Sequence, residues 1–261
     1  MRVVITRPSG EAHAWVDALQ AAGYEALALP LIAVGPVRNS QAVLQAWAQW
    51  PEFQAVMFVS AQAVRYFFAC QPISNTWRDA PRCWATGPGT HKALLQAGVP
   101  EACIDSPGAD AAQFDSEALW QRVSSQVQAG KPVLIVRGHD LNLQPDAALI
   151  GTGRDWLAQQ LYAVGASAQF VVAYERRTPR WLALEKAQAT QAATDASVWC
   201  FSSSQAIQNL AHILPTQSWV QSRCIATHPR IAETAQALGF GEIHSSKPSL
   251  PDVLASLESL A

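Results

Sequence analysis

The sequence predicts an α/β protein built as two similar parallel-sheet lobes. Three observations lead there. Short β-branched runs alternate with helical stretches along the whole chain, the apolar content is high for the charge, and one series of strand–helix units occurs twice. Of 261 residues, 49% are hydrophobic and 15% charged, and the formal net charge is −2. That balance excludes a disordered chain and gives no basic excess for a phosphate backbone, so no nucleic-acid partner is expected. No apolar run reaches the roughly 18 residues that a membrane span needs, so no membrane partner is expected either.

Taken in order, Val3–Thr6 reads as a buried strand. Ser9 is placed to cap a helix over Glu11–Ala22, and Gly23 stops it. Ala26–Val34 reads as a strand running on past Pro30, and Ala42–Trp50 as a helix. Strand Phe53–Ser60 precedes helix Ala61–Ala69. Strand Arg82–Thr86 precedes helix Thr90–Ala97, closed by Gly98, and a short strand follows at Ala102–Asp105. Amphipathic Ser116–Gln128 leads to strand Pro132–Arg137 and a polar loop over His139–Thr152. Helix Arg154–Ala163 ends at Gly165 before strand Gln169–Tyr174. The rest alternates as helix Trp181–Ala192, strand Ser197–Phe201, helix Gln205–Leu210, strand Arg223–Thr227, helix Arg230–Leu238, strand Glu242–His244 and helix Leu250–Leu260.

The repeat is read from ordered matches. Val3-Val4-Ile5-Thr6-Arg7 aligns with Val133-Leu134-Ile135-Val136-Arg137. Phe58-Val59-Ser60-Ala61-Gln62-Ala63-Val64 aligns with Phe201-Ser202-Ser203-Ser204-Gln205-Ala206-Ile207. Cys83-Trp84-Ala85-Thr86 aligns with Cys224-Ile225-Ala226-Thr227, and Gly98 with Gly239. Ligands of open parallel sheets sit at the carboxyl ends of the strands. The repeat sets Arg7 and Arg137, Ser60 and Ser202–Ser204, and the segments from Gly87 and His228 at those ends. Hydroxyls, helix N-termini and guanidinium groups suit anionic oxygens, so a carboxylate or phosphate compound gripped between the lobes is expected.

Other chemistries lack their signatures. Gly87-Pro88-Gly89-Thr90 has no phosphate-loop lysine, Gly151-Thr152-Gly153 has no third glycine, and Ser202–Ser204 has no nucleophile elbow. The five cysteines and six histidines show no ligand spacing, so no metal is expected. An odd number of scattered cysteines and an opening, MRVVITRPSGEAHAW, without an apolar core fit reduced thiols in the cytoplasm. The tryptophans Trp47, Trp50, Trp77, Trp120, Trp156 and Trp181 read as packing residues.

In order along the chain, Val4-Ile5-Thr6-Arg7-Pro8, Leu29-Pro30-Leu31-Ile32, Phe58–Val64, Ala85–Thr90, Leu134–Gly138, Gly153–Leu157, Val172–Arg177 and Phe201-Ser202-Ser203 together resemble the uroporphyrinogen-III synthase family. The resemblance implies two flavodoxin-like lobes joined by a two-stranded linker. Lobe one would be 1–36 plus 176–261, lobe two 37–175, with linker strands near 30–38 and 170–178. It implies cofactor-free cyclisation of hydroxymethylbilane, with loss of water and inversion of ring D, to give uroporphyrinogen III. Tyr174 matches the family tyrosine proposed to protonate the leaving hydroxyl. Arg7, Ser60, Thr90, Arg137, Arg154, Ser202 and Ser203 match substrate-binding positions. The chain departs from the pattern at Ile231, where some members carry Thr, and in the inserted loop Leu141–Thr152. A cytoplasmic monomer in transient contact with the bilane-forming deaminase is implied. The alternative is a non-catalytic bilobal binding or sensor protein for a small anionic ligand, which would want a secretory leader or a basic helix-turn-helix. A two-lobed glycosyltransferase would want an Asp-x-Asp signature, which the sequence lacks.

Overall fold

A computed structural model of the chain describes residues 1–72, 77, 80–108, 114–141 and 155–260. Two compact units emerge: Met1–Ala33 with Arg177–Ala261, and Val34–Arg176. The chain opens unit one with β1 (Arg2–Ile5), α1 (Ser9–Ala21) and β2 (Glu25–Ala28). It then builds unit two from β3 (Ala33–Pro36), α2 (Gln41–Ala48), β4 (Ala55–Phe58), α3 (Ala61–Phe68), β5 (Arg82–Ala85), α4 (Pro88–Gln96), β6 (Ile104–Asp105), α5 (Ser116–Val123), β7 (Pro132–Asp140), α6 (Trp156–Ala163) and β8 (Ser167–Arg177). It completes unit one with α7 (Ala183–Ala192), β9 (Val198–Phe201), α8 (Ser204–Ile213), β10 (Arg223–Ala226), α9 (Pro229–Leu238), β11 (Glu242–Ser245) and α10 (Leu250–Glu258).

The fold is α/β with two predominantly parallel sheets. Unit one orders its strands β11-β10-β9-β1-β2, every neighbouring pair parallel. Counted along the unit, that is the flavodoxin-like 2-1-3-4-5 order. Unit two orders β3-β8-β7-β4-β5-β6. With β7 and β8 taken as its first and second strands, the same order returns, plus the added edge β3. The two units are therefore circular permutants of one pattern, since the chain leaves unit one after its second strand and returns to it at the third.

Both sheets are covered on two faces, which explains their near-continuous apolar strands. Val4, Trp199 and Phe201 pack on one side of the first sheet, while Val3, Ile5 and Val198 pack on the other. In the second sheet Val56, Leu134 and Val136 face one cluster, and Ala55, Met57 and Ile135 the other. The tryptophans read as packing residues include Trp47, Trp50 and Trp77, which join Phe67 and Phe68 in one aromatic group. Gly23, Gly98, Gly165 and Gly239, read as helix stops, all take the left-handed conformation.

Some local expectations are corrected. The strand expected over Ala26–Val34 is two strands, because Pro30 has no N–H for a ladder. The break is held in place: Leu29 and Leu31 donate backbone N–H bonds to Ile5 and Thr6, and the carbonyls of Pro30 and Leu31 accept from Trp181 Nε1 and Asn209 Nδ2. Ser9 is the first residue of α1, while Pro8 holds the cap position. His139 and Asp140 belong to β7, which keeps pairing with β8 beyond Arg137. The remainder of the expected loop, 142–152, lies outside the described residues.

All five cysteines are free; Cys83, Cys200 and Cys224 are buried, whereas Cys70 and Cys103 are half-buried. Burial pushes the thiols of Cys83, Cys200 and Cys224 up to about 12, so they stay protonated and non-nucleophilic at neutral pH.

Candidate functional site

Each sheet reverses its strand order at one place, beside the first strand of its pattern, and candidate residues collect at both. In unit one that place lies between the tips of β1 and β9. Thr6, fully buried, donates its hydroxyl to the Cys200 carbonyl at 2.7 Å and ties the two tips together. Beyond it opens a concavity of about 530 Å³, lined by Ser202, Ser203, Gln205, Thr227, His228 and Arg230 among others. An inner recess adds Arg7 and Trp15 and shares Ser202 and Thr227.

Two helices begin at this concavity. Ser203 caps α8, its hydroxyl accepting the N–H of Gln205 at 3.2 Å. His228 caps α9, its Nδ1 accepting the N–H of Arg230 at 3.2 Å. Both helices are ten residues long, so both present the positive end of a developed dipole. The Arg230 side chain is exposed and forms no ion pair among the described residues. Arg7 stacks 4.2 Å over Trp15 and bonds Glu11 and the Pro248 carbonyl. The site therefore offers hydroxyls, two helix N-termini and guanidinium groups, a set whose chemistry suits anionic oxygens.

In unit two the matching place lies between β7 and β4. Ser60 caps α3, its hydroxyl accepting the N–H of Ala63 and lying 3.2 Å from the Tyr174 hydroxyl. The Tyr174 ring is 1% exposed and stacks on Tyr66. Arg176, an exposed residue, donates from Nη2 to the Tyr174 oxygen at 2.9 Å, so the hydroxyl end of a buried ring meets a surface guanidinium. The ring passes directly over Gly138.

Tyr174 and Ser60 are thus brought together; in the other unit Ser202 and Ser203 line the concavity, and Arg7 lines the small recess that shares Ser202 with it. Thr90, in the first turn of α4, is 5% exposed. The Arg137 side chain is 3% exposed; it pairs with Asp155 at 2.9 Å and lies 4.0 Å over Phe170. Arg154 lies outside the described residues. Arg7 and Arg137, aligned by the repeat, share one motif of guanidinium, aromatic ring and carboxylate. Sequence reasoning did not single out Arg176, Arg230 or His228 as site residues. His228 and Arg230 follow the strand aligned with Arg82–Thr86, and that position was their signal.

The burial of Arg137 carries an expectation. Arg137→Ala should destabilise unit two by about 1–3 kcal/mol through lost stem packing and the ring contact. Asp155 is 57% exposed and can be rehydrated, so its own carboxylate is not stranded in the interior. Thermal melts of the variant check this; an unchanged Tm would contradict the observed packing.

Comparison with known proteins agrees with this picture. The family model described as uroporphyrinogen-III synthase HemD matches residues 13–255. The chain belongs to the uroporphyrinogen-III synthase family. The synthase of Salmonella typhimurium is 30% identical over 93% of this chain and 94% of that protein. The Escherichia coli synthase is 25% identical over the same shares of both chains. The crystal structure of uroporphyrinogen-III synthetase from Helicobacter pylori matches the whole length of both chains with a TM-score of 0.58 at 17% identity, which supports the shared fold. Family membership makes the protein a lyase-class enzyme and sets aside the non-catalytic binding protein.

Proposed function

We propose that the protein cyclises hydroxymethylbilane to uroporphyrinogen III using the strand-tip groups of its two units. The family match over residues 13–255 carries this reading. The substrate is a flexible chain of four pyrroles with eight carboxylates, and it closes unaided to the wrong isomer. The enzyme's task is therefore to hold one folded conformer, which is catalysis by positioning. Hydroxyls of Ser202 and Ser203, the starts of α8 and α9, and the side chains of Arg7 and Arg230 suit the substrate's carboxylates in unit one. Ser60 serves in the same way in unit two, with Arg154 as a further basic group. Buried Thr90 and Arg137 act there as positioning residues that fix the start of α4 and the tip of β7.

Tyr174 is the proton donor in this reading. Its oxygen already accepts from Arg176, which leaves the phenolic proton to be given to Ser60 or to the substrate. Protonation of the terminal hydroxyl releases water and leaves an azafulvene. The substituted carbon of ring D attacks it to form a spiro-pyrrolenine, which fragments and recloses with ring D inverted. Arg176 lies where negative charge would remain on the Tyr174 oxygen after proton transfer. The five free thiols suit a reducing compartment, and the reading includes a cytoplasmic monomer that takes its short-lived substrate from the bilane-forming deaminase by transient contact. A coupled assay from porphobilinogen with that deaminase tests it. Isomer III should predominate over isomer I; isomer I alone would refute the reading.

A further inference from the structure

Unit two holds a second pocket, of about 280 Å³, built from groups with no part in the scheme above. Its walls include Val37, Ala42 and Val172, its buried polar lining is His139 and Glu175, and Arg38 and Asn39 stand at its exposed rim. His139 is 2% exposed and Glu175 is 8% exposed. Among the described residues neither imidazole nitrogen of His139 has a hydrogen-bond partner, and neither does Glu175 Oε2. Glu175 Oε1 accepts the backbone N–H of Arg38, at 3.3 Å. Folded proteins rarely leave three such atoms unsatisfied beside an open space without a use for them.

Strand register brings the pair together. A bulge between Arg137 and Gly138 shifts the β7–β8 ladder by one residue, so Gly138 meets Tyr174 and His139 meets Glu175. Unshifted, the ladder would set His139 opposite Tyr174 and Asp140 opposite Glu175. Bulges of this kind re-aim side chains beside functional sites. The shift that lays Tyr174 on Gly138 also aligns the two buried polar groups.

The unsatisfied atoms define what would complete them. Glu175 Oε2 needs a donor, His139 can donate or accept, and Arg38 offers positive charge at the rim. Apolar walls favour a small flat ring between them. A metal ion would need more ligands, and no group of three ligating side chains occurs among the described residues. We infer that this pocket is a subsite for one carboxylate-bearing pyrrole ring of the substrate, its N–H donated to Glu175 Oε2 and an acid arm held by His139 and Arg38. The inference rests on the synthase reading and adds to it a place where a single ring is held.

The test uses the full-length enzyme with porphobilinogen, a monopyrrole bearing one acetate and one propionate, as probe. Glu175→Gln and His139→Leu should each raise KM for hydroxymethylbilane about tenfold, with kcat within about twofold, as expected for lost binding contacts. Porphobilinogen affinity, measured by calorimetry, should fall in parallel. Melting temperature should hold or rise in His139→Leu, because an unsatisfied buried group is removed, whereas a purely structural pair would make it fall. Nitrogen NMR of histidine-labelled wild-type protein gives a readout that needs no variant: porphobilinogen should shift the one resonance that His139→Leu deletes. Unchanged KM in both variants, or no histidine shift up to millimolar porphobilinogen, overturns the subsite and indicates a water-filled pocket only. Wild-type enzyme forming isomer III in that case leaves the synthase reading standing; wild-type enzyme forming only isomer I defeats the reading instead.

Discussion

Tyr174→Phe is expected to lower kcat by about 10²–10⁴-fold, the contribution of a positioned general acid, with KM within about twofold. The phenyl ring of the variant keeps the stack on Tyr66 and the contact with Gly138, so the packing survives. What is removed is one oxygen, with its contacts to Ser60 Oγ and Arg176 Nη2. Arg176 is exposed and can turn to water, so the stability cost should be about 1 kcal/mol. Steady-state kinetics beside a thermal melt separate the two effects. A melt shift with unchanged kcat would make Tyr174 a packing residue and take it out of the chemistry.

Gly138→Ala should disable the same centre from beneath. A Cβ at this position would run into Cζ, Cε2 and Cε1 of the Tyr174 ring, all well inside contact distance. The ring has little room to retreat, because it is 1% exposed and stacked on Tyr66. Overpacking of this kind costs about 1–3 kcal/mol. Displacing the hydroxyl by roughly 1 Å should also lower kcat about 10²-fold. The losses should not add: in a Tyr174→Phe background the same glycine change should hardly alter kcat further, since both act through one oxygen. Full additivity would show that Gly138 serves catalysis by another route.

The contrast between Arg7 and Arg137 shows how far local pattern reaches. Their alignment by the repeat is legible in the chain, and so is their place at strand tips. That Arg7 faces a concavity while Arg137 turns onto Phe170 and Asp155 is not legible, since the ring lies on another strand and the carboxylate just before another helix. Ser60 was readable as a cap from its place before Ala61-Gln62-Ala63, but its meeting with Tyr174 spans 114 residues of sequence.

By itself the sequence determined the alternation of strands and helices, the glycine stops, the duplication and the hydroxyl-rich strand ends. These follow from side-chain periodicity and short-range backbone sterics, which act within a few residues. Only the tertiary structure decided that unit two is a permuted copy of unit one, that Pro30 splits a strand, and that a bulge seats Tyr174 on Gly138 and aligns His139 with Glu175. Those outcomes depend on which strands pair and in what register, and register is set by distant partners competing for the same ladder.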